Sequence, residues 1–207
     1  NSPLGNWRTN SDNNTAITVL EGMKAYPKNK LIYRKGADVN LNVGGVVKFH
    51  EKVKIIENDK SGFNSAKNAA RNADIVVMVL GEDGFQSGEG RSRTKIDLPG
   101  VQQELLEEVY KVNKNIVLVL MNGRPLNINW ADKNIPSIVE AWQLGTQTGN
   151  AIAQVLYGDY NPSGKLPMTF PRSVGQIPIY YNYKNTGRPG PKNEVFWSHY
   201  NDEVNTP

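Results

Sequence analysis

The chain has 207 residues, 38% of them apolar and 21% charged, enough to bury one sizeable core without help from disulfides or metal. Its 24 basic and 20 acidic residues leave a formal charge of +4, and the basic residues are scattered among the acids rather than gathered into a stripe, which disfavours nucleic acid as a partner. The absence of cysteine excludes thiol nucleophiles, thiolate metal sites and disulfide scaffolds together, and the absence of a long apolar run argues against a membrane span.

Asn1-Ser2-Pro3 is neither a start methionine nor a signal peptide, so the chain is read as a fragment. The Asn13-Asn14-Thr15 glycosylation pattern is too short to carry an argument. The first helical pattern spans 15–26, with Ile17, Leu20 and Met23 on one face, and a strand is predicted over 30–35. Residues 38–57 break the rhythm, with Gly44-Gly45 in their middle, and are read as an excursion. An alanine-rich helix over 64–73 leads into a strand over 74–80. A helix over 100–112, opened by Pro99, leads into a strand over 115–121. A fourth strand over 137–142 precedes a helix over 147–157, stopped by Gly158. The two middle strands are apolar throughout, as strands buried on both faces are. The fold class is therefore α/β, a mainly parallel sheet sandwiched between helices. From 158 to 207 the chain turns loop-like, rich in proline and tyrosine, and is expected to wrap over the sheet or reach towards a neighbouring domain.

Ligands of open α/β sheets bind outside the carboxyl ends of the strands. Those ends here run into a loop over 81–93, into Asn122-Gly123-Arg124-Pro125 and into Gln143-Leu144-Gly145-Thr146. The first loop holds Gly81, Gly84, Gly88 and Gly90 with Glu82, Asp83, Glu89, Arg91 and Arg93. A carboxylate between Gly88 and Gly90 can be thrust outward and serve as a general acid. From these residues alone, a solvated connection is the more ordinary reading.

Other sites are eliminated. Between Gly158 and Lys165 the glycines are wrongly spaced for a phosphate loop, and Leu166 stands where a hydroxyl should hold magnesium. Arg34-Lys35-Gly36-Ala37 lacks the dinucleotide fingerprint. His50 and His199, the two histidines, are read as structural or exposed; no metal and no cofactor is expected. Trp130 and Trp197 are assigned to a core or interface, while Trp142, at a strand's carboxyl end, stands open between core and sugar-stacking platform.

Laid out this way, the chain resembles the second, α/β-sandwich domain of glycoside hydrolase family 3, in particular bacterial periplasmic β-glucosidases. The matching stretches are Ala73-Asp74-Ile75-Val76-Val77, Gly81-Glu82, Ser87-Gly88-Glu89, Ser92-Arg93-Thr94 with Ile96-Asp97-Leu98-Pro99, and Leu120-Met121-Asn122-Gly123-Arg124-Pro125-Leu126. The most specific is Gly158-Asp159-Tyr160-Asn161-Pro162-Ser163-Gly164-Lys165-Leu166-Pro167, followed by Phe170-Pro171 and Gly175-Gln176-Ile177-Pro178. The opening around Gly5-Asn6-Trp7 and the stretch from Tyr183 to Pro189 fit as well, so the likeness covers nearly all of 1–207. Around Gly145-Thr146-Gln147-Thr148-Gly149 the family usually reads Gly-Thr-Glu-Gly-Gly, so Gln147 and Thr148 are departures.

The resemblance implies a domain of a retaining exo-acting β-glycosidase, most simply a β-glucosidase acting on β-linked oligosaccharides, periplasmic or secreted. A preceding N-terminal barrel domain would supply the aspartate nucleophile and a fibronectin-like domain often follows; this chain alone would be inactive. The glutamate of the Ser-Gly-Glu motif falls on Glu89, which would be the acid/base, with Glu82 and Asp83 ranked below it as residues that order the loop. Phe85, Trp142 and Arg91 are candidates for substrate binding. At least one of Arg91 and Arg93 is expected instead to pair with Asp83 or Asp97, since an arginine on Glu89 would oppose its role as an acid. The competing reading is a non-catalytic carbohydrate-binding or scaffolding module of the same fold; a nucleotide-binding flavodoxin-like domain is the poorest, for want of the glycine fingerprint.

Overall fold

A computed structural model of the chain describes residues 3–8, 15–27, 30–41, 51–182, 184, 187–191, 194–200 and 202. Gly44, Gly45, His50, Asn13, Asn14 and Tyr183 lie outside the described residues.

The chain builds helices α1 (Val19–Lys24) and α2 (Phe63–Arg71), strand β1 (Val76–Gly81), helix α3 (Gln102–Tyr110), strand β2 (Ile116–Met121), helix α4 (Asn129–Asn134), strand β3 (Ser137–Glu140) and helix α5 (Thr148–Tyr157). The strands form one parallel sheet in the order β1-β2-β3, with Leu80 beside Leu120 and Leu120 beside Glu140. Their alternation divides the core. Met78, Leu80, Ile116, Leu118 and Leu120 join Phe63, Leu105, Leu106, Val109, Ala131 and Ile135 on the face covered by α2, α3 and α4. Val119, Met121 and Ala141 meet Val19 and Ile152 under α1 and α5 on the other. Strands carrying apolar side chains to both faces require both to be covered, which is why β1 and β2 read as unbroken apolar runs.

Local chemistry sets the helix ends. Thr18 and Glu21 form a capping box, in which Thr18 Oγ1 accepts from the Glu21 N–H at 3.2 Å and Glu21 Oε2 accepts from the Thr18 N–H at 2.8 Å. Helix α1 thus begins four residues later than the periodicity predicts. It lies so close to α5 that a Cβ on Gly22 would stand 2.0 Å from the Gly149 carbonyl oxygen. Gly158, at φ +81°, ends α5 in the left-handed region, as predicted.

One prediction needs correction, and two segments hold structure that the sequence did not announce. Residues 30–35 form no strand, and Ile32 and Tyr33 are largely exposed. Flanking lysines and an arginine leave this segment only one short apolar patch, and it joins no strand of the described sheet. Helix α4 escapes the sequence reading, because Asn129-Trp130-Ala131-Asp132-Lys133-Asn134 buries only Ala131 and has no apolar stripe to betray it. The excursion over 38–57 begins and ends as an antiparallel pair: the Leu41 N–H donates to the Lys54 carbonyl and the Ile56 N–H to that of Val39, both at 3.0 Å.

Beyond α5 the described residues hold one further element, a single 3-10 turn at Val174–Gln176. Gln176 is buried there and accepts from the Arg172 N–H at 2.7 Å, while Asn129 Nδ2 donates to the Arg172 carbonyl at 2.8 Å. Residues 158–168 are exposed without interruption.

Candidate functional site

The carboxyl ends of the strands carry the chemistry. Strand β1 is an edge strand, and at its end the Gln102 side chain takes the place of a neighbour. Gln102 Oε1 accepts from the Gly81 N–H and its Nε2 donates to the Gly81 carbonyl, each at 2.8 Å, with a further bond of 3.0 Å to the Pro99 carbonyl. The loop over 82–99 leaves from this fixed point. It returns alongside the chain after β2, where the Asn127 N–H donates to the Ile96 carbonyl at 2.8 Å.

The three carboxylates of this loop have different fates. Glu82 has a fully buried side chain held by two guanidinium groups, Arg93 Nη1 at 2.6 Å and Arg124 Nε at 3.0 Å from Oε1, and the Gly123 N–H donates to Oε2 at 3.2 Å. Asp83 folds the first turn, its Oδ1 accepting from the Phe85 N–H at 2.9 Å and its Oδ2 from Asn40 at 3.2 Å. Glu89 is exposed at the tip, between Gly88 at φ +117° and Gly90 at φ +67°, and makes no hydrogen bond or ion pair among the described residues. A Cβ on Gly88 would stand 2.2 Å from Asn6 Nδ2, so both φ and close approach require glycine at this root of the tip.

The arginines depart from the sequence reading. Neither Arg91 nor Arg93 forms an ion pair with Asp83 or Asp97 among the described residues. Arg93 pairs with Glu82 and donates to the main-chain carbonyl of Asp97 at 3.2 Å, and Arg91 donates to the main-chain carbonyl of Glu51 at 2.6 Å. A buried carboxylate outcompetes exposed ones for guanidinium partners because its desolvation must be offset. Phe85 lies half-buried in the same loop, with the guanidinium of Arg8 4.7 Å and that of Arg91 5.9 Å from its ring centroid.

Trp142 lies on the neighbouring rim, after β3. Its φ of +46° is uncommon for a residue with a bulky side chain. Glu140 Oε1 accepts the Trp142 N–H at 2.9 Å, and Phe170 approaches the indole with centroids 5.8 Å apart. Burial pushes the Glu140 carboxyl up to about 7, against the opposing hydrogen bonds from the Trp142 N–H and the Asn122 amide. Asn122 Nδ2 donates to Glu140 Oε2 at 3.3 Å and to the Arg124 carbonyl at 2.8 Å, leaving Asn122 Oδ1 buried without a partner. The two rims are tied together: Gln143 Nε2 donates to Ser87 Oγ at 3.2 Å.

The structure thus brings Phe85, Glu89 and Arg91 into one loop and links that loop through Ser87 to the segment carrying Trp142. Sequence reasoning placed Arg124 and Gln143 on the rim and Asn6 in a matching stretch but gave none of them a role, and it passed over Glu140, whose position at a strand end was the available signal. Trp130, by contrast, packs against the core and meets Tyr110 edge to face at 5.3 Å. The departures at 147 and 148 are absorbed structurally. Thr148 is fully buried with Oγ1 donating to the Gly145 carbonyl at 2.7 Å, and Gln147 Oε1 accepts from Asn150 Nδ2 at 2.7 Å. Among the described residues no cluster of side chains suits a metal ion, and no helix is long and apolar enough to cross a membrane.

Comparison with known proteins places these features in a family. The model of the glycosyl hydrolase family 3 C-terminal domain matches residues 1–204. A periplasmic β-glucosidase of Salmonella typhimurium is 45% identical over 99% of the chain, and a β-xylosidase of Formosa agariphila 43% identical over 80%. The crystal structure of a Listeria innocua β-glucosidase in complex with gluconolactone superimposes over the whole chain with a TM-score of 0.82 at 33% identity. The chain spans 28%, 21% and 26% of the lengths of these three proteins. With a parallel sheet between two helical layers and a family match over almost its entire length, the chain belongs to glycosyl hydrolase family 3, as its C-terminal domain.

Proposed function

We propose that this domain supplies the general acid/base of a retaining, exo-acting β-glycosidase that releases terminal β-linked glucose, and that the acid/base is Glu89. One observation carries the reading. Of the three carboxylates in the loop, Glu82 and Asp83 are consumed in holding it, and Glu89 alone is delivered outward, between two left-handed glycines, with its carboxylate unengaged. Retaining hydrolysis needs a second carboxyl roughly 5–5.5 Å away to attack the sugar while the first protonates the leaving oxygen and later activates water. In this reading the nucleophile comes from an N-terminal barrel domain, and the 207-residue chain by itself does not turn over. Phe85, Trp142 and Arg91 border the leaving-group subsite, where rigid rings stack on a sugar face. The names of the relatives support β-glucosides as the substrate class and a periplasmic or secreted location.

The test is Glu89→Ala in the complete gene product, assayed on cellobiose and on 2,4-dinitrophenyl β-glucoside, with and without azide. Loss of general acid catalysis lowers kcat/KM on cellobiose by roughly 10²–10⁴-fold and spares the activated substrate, whose leaving group needs no proton. Azide then yields a β-glycosyl azide. Equal losses on both substrates with no azide product would overturn the assignment.

A further inference from the structure

The tip that carries Glu89 is closed by a single group far away in sequence. Arg124 Nη2 donates to two main-chain carbonyls, that of Gln86 and that of Arg91, the latter at 2.8 Å. These two residues are the shoulders of the tip. Two acceptors sharing one donor nitrogen stand no more than about 6 Å apart, whereas five residues can extend to about 17 Å. The Arg91 N–H donates to the Gly88 carbonyl at 3.1 Å and the Gln86 N–H to that of Asp83 at 2.9 Å, so both shoulders are also bonded to the main chain. The clasp is itself anchored. Arg124 Nε lies 3.0 Å from Oε1 of the fully buried Glu82, which Arg93 and the Gly123 N–H hold from other sides.

We propose that Arg124 is a positioning residue for Glu89: its guanidinium fixes the span of the 86–91 tip and with it the point at which the Glu89 carboxyl is presented. The inference rests on the reading of Glu89 as the acid/base. A guanidinium is required because it sets one nitrogen in charge contact with Glu82, without a hydrogen bond of its own, and another on both carbonyls; an ammonium at the end of a lysine stem answers the charge of Glu82 but does not reproduce that spread. Asn6 packs beside the tip. It is buried and lies close against Gly88, the root of the tip, while the span between the shoulders is set at Arg124.

The experiment compares Arg124→Lys, Arg93→Met and Glu89→Ala in the complete gene product on cellobiose and 2,4-dinitrophenyl β-glucoside, with thermal melting of each. Arg124→Lys keeps a cation for Glu82 and guards against simple misfolding. Displacement of a positioned group by about 1 Å costs on the order of 10²-fold. Arg124→Lys is therefore expected to lose roughly that much kcat/KM on cellobiose, through kcat, and less than about threefold on the activated glucoside. Arg93→Met, which shares Glu82 but touches neither shoulder, is expected to lower the melting temperature and to change both substrates alike. If Glu89→Ala discriminates between the substrates and Arg124→Lys does not, the positioning role is overturned while the acid/base reading stands. If neither discriminates, both fall together.

Discussion

The rim loop over 82–93 and the tail beyond α5 carry the two most recognisable stretches of the sequence, yet the structure treats them in opposite ways. The loop is polar in composition but satisfied: Glu82 is fully buried, Arg93 from within the loop and Arg124 from the segment after β2 converge on it, and Asp83, Gln86 and Gly88 are bonded within the loop. The tail is rich in apolar side chains and leaves them outside, with Leu166, Met168, Tyr180 and Tyr181 all more than half exposed, Tyr181 at 87%. A polar segment is buried here because partners inside it and on neighbouring segments satisfy its charges, whereas the apolar side chains on either side of the anchor at Gln176 find no such cover among the described residues. The root of the loop is thus held among the described residues, whereas the tail's apolar side chains stand exposed there.

The sharpest way to break that contrast is at Glu82. Glu82→Gln leaves two guanidinium groups converging on a neutral amide, and removing one partner of a buried ion pair costs about 3–5 kcal/mol. A large fall in melting temperature is expected, and an unchanged one would show that the loop is not held from its root.

Glu140 gives a smaller effect that depends on pH. Its carboxyl is pushed up to about 7 by burial, so between the ordinary glutamate value and 7 the folded chain binds more protons than the unfolded one. Stability therefore falls as pH rises through that window and levels off above it. Glu140→Gln, which keeps an acceptor for the Trp142 N–H but sets its amide NH2 against the Asn122 Nδ2 donor, removes the titrating group and is expected to flatten the dependence, so that its effect on stability is more favourable at pH 8 than at pH 5. Melting curves at the two pH values decide it.

The least effect is expected in the tail. Tyr181→Ser should change the stability of the 207-residue chain by no more than about 0.5 kcal/mol, as at other exposed positions. Repeating the substitution in the complete gene product sharpens the comparison: a loss seen only there would show that the tail's apolar face is covered, and equal small effects would show that it is not.

Much of the architecture was legible from the chain alone. Unbroken apolar runs at 76–81 and 116–121 announce strands covered on both faces, and Gly158 announces the end of α5. The two glycines beside Glu89 announce a projecting carboxylate. Such signals are carried by neighbouring residues, whose periodicity and turn chemistry act locally. Where the reading went astray, the deciding partner was distant or lacking. Residues 30–35 have strand-like composition but join no strand of the described sheet, and α4 lacks the stripe that would reveal it.

The sequence by itself therefore determined the βα rhythm, the sandwich and the loop on which the candidate acid/base sits. Only the tertiary structure decided which groups hold the buried Glu82 and close the tip around Glu89. That outcome depends on Arg124, which follows a different strand and bonds loop atoms 33 and 38 residues earlier. The pairing of charges follows which loops the parallel sheet brings to one rim, and desolvation then gives the guanidinium groups to the carboxylate that folding has removed from water.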